Sequence, residues 1–87
     1  MLRRVLMTGR AEISLWITQW FESSSGENID LEENFFEAGL IDSFGVIELV
    51  EEIENEFNIK FDQIDFQNRG FPTISGLSVI IEDKIAS

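Results

Sequence analysis

Eighty-seven residues are expected to form one small domain, and with 44% apolar and 11% aromatic residues they can bury a core. Seventeen acids against six bases give a net charge of −11, which disfavours nucleic-acid phosphates and favours basic partner surfaces. Cysteine and histidine are both absent. That excludes disulfides, thiolate metal sites and any hydrolase built on a Ser–His pair.

Residues 1–9 read as an N-terminal arm and residues 10–86 as a helical bundle. Arg3, Arg4 and Arg10 stand in the first ten residues with no acid, so residues 11–87 carry three bases against all seventeen acids. The apolar run Val5-Leu6-Met7 is too short for a signal sequence. No stretch approaches the length of a membrane span, so a cytoplasmic protein with no membrane partner is expected.

From Arg10 the positions Ile13, Trp16/Ile17 and Trp20/Phe21 mark one face of a helix. Glu12, Thr18, Gln19 and Glu22 lie opposite, and Ser23-Ser24-Ser25-Gly26 ends the helix. Two tryptophans on such a face predict core. Residues 26–42 form a connection longer than compact domains usually tolerate without a functional reason. Ile29, Leu31, Phe35, Phe36 and Leu40 supply its anchors, and Asp30 with Glu33 can cap a short turn. A calcium loop starting at Asp30 fails, because the sixth position has no glycine and the twelfth is Ile41 rather than glutamate.

Residues 43–57 are the clearest helix. Val46, Leu49/Val50, Ile53 and Phe57 recur at helical spacing, with Val46 or Ile47 opening the core face. Glu48, Glu51, Glu52, Glu54 and Glu56 line the polar face without a base between them. The like charges at Glu48–Glu52 and Glu52–Glu56 cost about 0.2–0.5 kcal/mol each. Glu54 and Glu56 also sit where the helix dipole disfavours anions. A face arranged against stability in this way points to a partner surface. Gly45, in the first turn, is read either as space for a close approach or as a place where the helix frays.

Ser43 falls at or just before the start of this helix, where unpaired N–H groups and the dipole suit a phosphate ester. Downstream, Ile59 and Phe61 alternate inward along an extended piece. Residues 63–67 can hold one helical turn, with contacts from Ile64 and Phe66. Asn68-Arg69-Gly70-Phe71-Pro72 is a loop, and Thr73 caps a last helix carrying Leu77, Ile80/Ile81 and Ile85. The expected fold is all-α, a small antiparallel bundle of three to four helices.

The run Phe35-Phe36-Glu37-Ala38-Gly39-Leu40-Ile41-Asp42-Ser43-Phe44, followed by Glu48-Leu49 and Ile53-Glu54-Asn55-Glu56-Phe57, resembles the acyl and peptidyl carrier proteins. The resemblance covers about residues 10–86. It implies a covalent 4′-phosphopantetheine arm on Ser43, whose hydroxyl attacks the pyrophosphate of coenzyme A on a separate phosphopantetheinyl transferase. It implies that Asp42 helps dock that transferase, and that Phe44, Glu48, Glu51 and Glu54 meet partner enzymes. Partners would be acyl or aminoacyl ligases and synthases of fatty-acid, polyketide or related biosynthesis, served by a monomer with no catalytic or metal site of its own.

Glu51 departs from many fatty-acid carriers, which have an apolar residue there, and counts against an acyl chain buried between helices. Leu40–Phe44 and the loop Phe66–Thr73 look closer to D-alanyl and stand-alone specialised carriers. Two other functions compete with the carrier. An unmodified acidic adaptor or inhibitor would use the 43–57 face and tolerate Ser43→Ala. An enzyme using Ser43 as nucleophile lacks a nearby base and a Gly-x-Ser-x-Gly elbow.

Overall fold

The computed structural model describes residues 9–26 and 28–86. The N-terminal arm, apart from Gly9, therefore lies outside the described residues. Four helices follow one another: α1 (Arg10–Ser25), α2 (Ser43–Phe57), α3 (Gln63–Phe66) and α4 (Ile74–Ala86). Among the described residues there is no strand, and no helix is long and apolar enough to cross a membrane.

Side-chain pairs give the helix directions. Arg10 meets Glu82 and Ser14 meets Ser78, so α1 and α4 run antiparallel. Trp20 meets Glu52 and Trp16 packs edge-on against Phe57, so α1 and α2 are antiparallel too. It follows that α2 and α4 run the same way.

Local chemistry marks the ends of α1 and α2 and the start of α4. Gly26 closes α1 at a φ of 76° and donates to Glu22 O, and Asn58 closes α2 at a φ of 57° and donates to Glu54 O. Both positions need the left-handed region, open to glycine and tolerated by asparagine. Thr73 caps α4 as expected, its Oγ1 accepting the Gly76 N–H at 3.0 Å.

The α1 face expected from spacing is the one that packs. Ile13, Ile17 and Phe21 are fully buried, while Trp16 and Trp20 flank them half-buried. On α4 the stripe is Ile74, Leu77, Ile80 and Ile81, with Ile85 half-buried. Ser78 sits fully buried inside it. Its hydroxyl donates to Ile74 O at 2.7 Å, so the single proton is used and Ser14 must donate across the helix interface at 2.8 Å. That satisfies the buried oxygen on both sides.

On α2 the core positions are Leu49 and Ile53, with Val46, Val50 and Phe57 packed at the margin. Ile47 is instead 57% exposed, which corrects the alternative start of the face. Ile64 on α3 is likewise exposed, whereas Phe66 packs against Phe61 and Phe71. Ile59 and Phe61 do alternate inward.

A polar tie fixes α3 to the end of α4. Lys84 Nζ lies 2.8 Å from Asp65 and 3.6 Å from Asp62, and 5.9 Å from the centre of the Phe61 ring. Burial pushes the Asp65 carboxyl up, but the Asp62 N–H and the Lys84 ammonium outweigh it, and its pKa is held below the ordinary value. The bond to Asp65 raises the Lys84 pKa against the opposing effect of burial. A lowered acid contributes stability above its unfolded pKa and loses it as pH falls through the folded value. A raised lysine contributes below its unfolded pKa and loses it as pH rises through the folded value. The tie is thus intact across neutral pH and weakens at both extremes. Lys84→Met is expected to cost about 1–2 kcal/mol near pH 7 and clearly less in strong acid, where Asp65 is protonated, measured by urea denaturation at both. An equal loss at both pH values would show that the tie is only packing.

Candidate functional site

The chain enters α2 through a connection that is pinned rather than loose. Phe35 is fully buried, its ring 5.0 Å from Phe21, and its N–H donates to Pro72 O at 2.8 Å. Asp30 Oδ1 accepts the Glu32 N–H, and Asn34 Oδ1 accepts from both Phe36 and Glu37, so the acids and amides of this stretch close local turns. Gly39 takes a φ of 74°, which turns the chain toward Leu40 and Ile41. Those two residues pack half-buried against the core. The connection therefore delivers Asp42 and Ser43 to a fixed place.

Asp42 is the N-cap of α2, extended at φ −111°, with Oδ1 accepting the Gly45 N–H at 2.8 Å. Ser43 is the first helical residue and is exposed. Val46 N–H bonds Asp42 O, which leaves the N–H groups of Ser43 and Phe44 without intrahelical acceptors. An anion on the Ser43 oxygen would meet those donors and the positive end of the helix dipole. Asp42 opposes it by like charge, but in full solvent that repulsion is modest. The surroundings suit a phosphodiester.

Gly45 has a packing reason. A Cβ there would lie 2.7 Å from Ile41 Cγ1 and 3.3 Å from Asp42 Oδ1, so neither fraying nor an approaching ligand is needed to explain it. Alanine would push Ile41 out of its seat beneath the cap.

Around Ser43 the surface is apolar and acidic together. Phe44 is 83% exposed, an unusual position for a phenyl ring on an isolated chain. Ile47, which spacing offered as an alternative to Val46 on the core face, extends this patch one turn along. Glu48 and Glu51 are exposed on the same helix.

Glu54 differs from these two. It is half-buried, and its Oε2 accepts the Phe61 N–H at 2.9 Å, holding the segment after α2. Glu52 also has a partner within the chain, the Trp20 indole N–H at 3.1 Å. On the base-free acidic face, Glu52 and Glu54 are thus tied to other segments, while Glu48 and Glu51 stand exposed. Nothing in the local sequence distinguishes them, because both partners come from distant segments.

Comparison with known proteins agrees with this geometry. The family model described as a phosphopantetheine attachment site matches residues 17–79, which include Ser43 and the whole of α2. The D-alanyl carrier proteins of Streptococcus pyogenes serotype M5 (strain Manfredo) and serotype M49 (strain NZ131) are each 34% identical over 53 residues. That alignment spans 61% of this chain and 67% of each relative. The serotype M1 protein matches to the same extent. A compact helical bundle with an exposed serine heading an acid-capped helix, matched by that model over most of its length, belongs to the phosphopantetheine carrier protein family, whose members hold a 4′-phosphopantetheine group covalently.

Proposed function

We infer that Ser43 carries the 4′-phosphopantetheine arm and that the arm holds aminoacyl groups as thioesters for delivery to partner enzymes. One observation carries the reading: Ser43 is an exposed hydroxyl on the first residue of a capped helix, within the span matched by the family. The arm supplies a thiol that this cysteine-free chain lacks.

The chain's own contribution is presentation. Asp42 holds the first turn so that Ser43 points outward, and the free N–H groups there favour the phosphate. The chain has no histidine to serve as a base beside Ser43, and Asp42 turns its Oδ1 to the Gly45 N–H. Activation of the hydroxyl therefore falls to the transferase, with Asp42 at the edge of its docking surface. Phe44 offers that transferase and later partners an aromatic anchor. Glu48 and Glu51 steer basic surfaces toward it. Glu54, bonded to Phe61, supports this face from behind.

The D-alanyl carrier relatives favour an aminoacyl cargo over a fatty-acyl one, as does the exposed acid at Glu51. Residues 10–86 would act as one carrier domain, monomeric and cytoplasmic, passing cargo from a ligase to an acceptor enzyme. A fatty-acid or polyketide carrier is the alternative.

The test is loading. With the arm installed, the chain is expected to accept D-alanine from a D-alanine-activating ligase and to refuse long-chain acyl groups from an acyl ligase. The opposite preference would return the cargo to the fatty-acyl class. Reversing Glu48 and Glu51 together to lysine is expected to slow arm attachment about tenfold, with helicity by circular dichroism unchanged. Unchanged attachment rates in the reversed protein would remove that face from the account.

A further inference from the structure

We propose that the seam between α1 and α2 is the resting place of the arm, and that the corner formed by Trp20 and Glu52 receives the α-ammonium of its aminoacyl cargo. This rests on the reading of Ser43 as the attachment point.

A groove opens beside Ser43, with Leu40, Ile41, Asp42 and Glu48 on one side and Trp20 and Ser24 of α1 on the other. A second depression carries Trp20 and Ser24 onward to Gln19, Ser23, Trp16 and Glu52. The two share Trp20 and Ser24, so they form one trough along the α1–α2 seam. Its near end touches Asp42 and Gly45, which bracket Ser43 in the chain.

Length and chemistry match the arm. Ser43 and Glu52 are nine residues apart on α2, about 14 Å along the axis and half a turn around it. An extended phosphopantetheine chain with its aminoacyl cap is longer than the axial distance, and it enters the trough over the first turn of α2 at Asp42 and Gly45. Its methyl and methylene groups find Leu40, Ile41 and the indole of Trp20. Its two amides find the Gln19 amide and the hydroxyls of Ser23 and Ser24. The arm beyond its phosphate is neutral, so an acidic trough does not repel it.

Charge then selects the cargo. No base lines either depression, while Asp42, Glu48 and Glu52 do. Glu52 is exposed and already holds the Trp20 indole at 3.1 Å, so a carboxylate and an aromatic ring are presented side by side. A primary ammonium is the group that such a pair attracts, by ion pairing and by the electrostatics of the ring face. A long alkyl chain gains little in so open and polar a trough.

The experiment is amide and indole NMR of the full chain in three forms: unmodified, carrying the arm, and carrying an arm ending in a stable alanyl or acetyl amide. Intact mass first establishes attachment, and its failure removes the Ser43 reading together with this one. With the arm attached, the Trp20 indole N–H and the Gln19 and Ser24 amides are expected to shift. The alanyl form is expected to move the Trp20 indole further than the acetyl form, and Glu52→Gln, which can still accept from the indole, is expected to abolish that difference. Shifts confined to residues 42–46, or equal shifts for alanyl and acetyl forms, would overturn the proposal while leaving attachment intact.

Discussion

Gly76→Ala is expected to destabilise the protein by at least about 3 kcal/mol, although alanine is the better helix former. Gly76 lies in the first turn of α4, against the backbone of the loop before it. An added Cβ would stand 2.5 Å from Gly70 Cα and still closer to the Gly70 carbonyl oxygen. Backbone atoms cannot swing aside as a side chain can, so either the loop or the helix must move. Moving the loop strains the Thr73 cap, whose Oγ1 donates to Gly70 O and accepts from Gly76 N. Gly70→Ala is expected to cost less, because its Cβ would meet Gly76 Cα at 3.1 Å. Urea denaturation of both variants checks this ranking. Equal or negligible losses would mean that the close approach does not hold in solution.

Phe35→Ala should cost about 3–5 kcal/mol, the range for removing a buried ring. In a chain of this size each kcal/mol corresponds to about 4–8 °C, so a fall in Tm of more than ten degrees is expected. The loss joins stability to function. Phe35 ties the connection before Ser43 to α1 through Phe21 and to the loop before α4 through Pro72 O. Leu40 N–H in turn bonds Phe35 O, one turn before the cap of α2. Without the ring, Gly39–Asp42 lose their anchor and Ser43 loses its fixed position. Arm attachment at a temperature where the variant is still folded should therefore be slower as well. A loss below about 1 kcal/mol would show that the connection is held elsewhere.

The signals that were legible in the sequence are local ones. The apolar-periodic run after Ser43 places the start of α2 within one residue, because helical spacing depends on neighbours in the chain. Gly26 and Thr73 announced helix ends for the same reason. The edges of the α2 core face were not legible. Val46, Ile47, Leu49, Val50, Ile53 and Phe57 cover more of the helix than one contact can bury. Only the positions of α1 and α4 decide that Leu49 goes in and Ile47 stays out. The roles of Glu52 and Glu54 were hidden similarly, since Trp20 and the Phe61 N–H come from other segments. Gly45 reads in the sequence either as room for a close approach or as a fraying point, and the structure traces it instead to Ile41 in the preceding turn. Lys84 with Asp65 has no periodic signature at all.

The central claim is that Ser43 takes the arm. Intact mass of the wild-type chain and of Ser43→Ala, before and after incubation with coenzyme A and a broad-specificity phosphopantetheinyl transferase, tests it most directly. Wild type should gain one phosphopantetheine, and the variant should gain none while remaining folded. Addition to the variant, or none to well-folded wild type with several transferases, would contradict it; the second outcome would favour an acidic adaptor acting without a covalent arm.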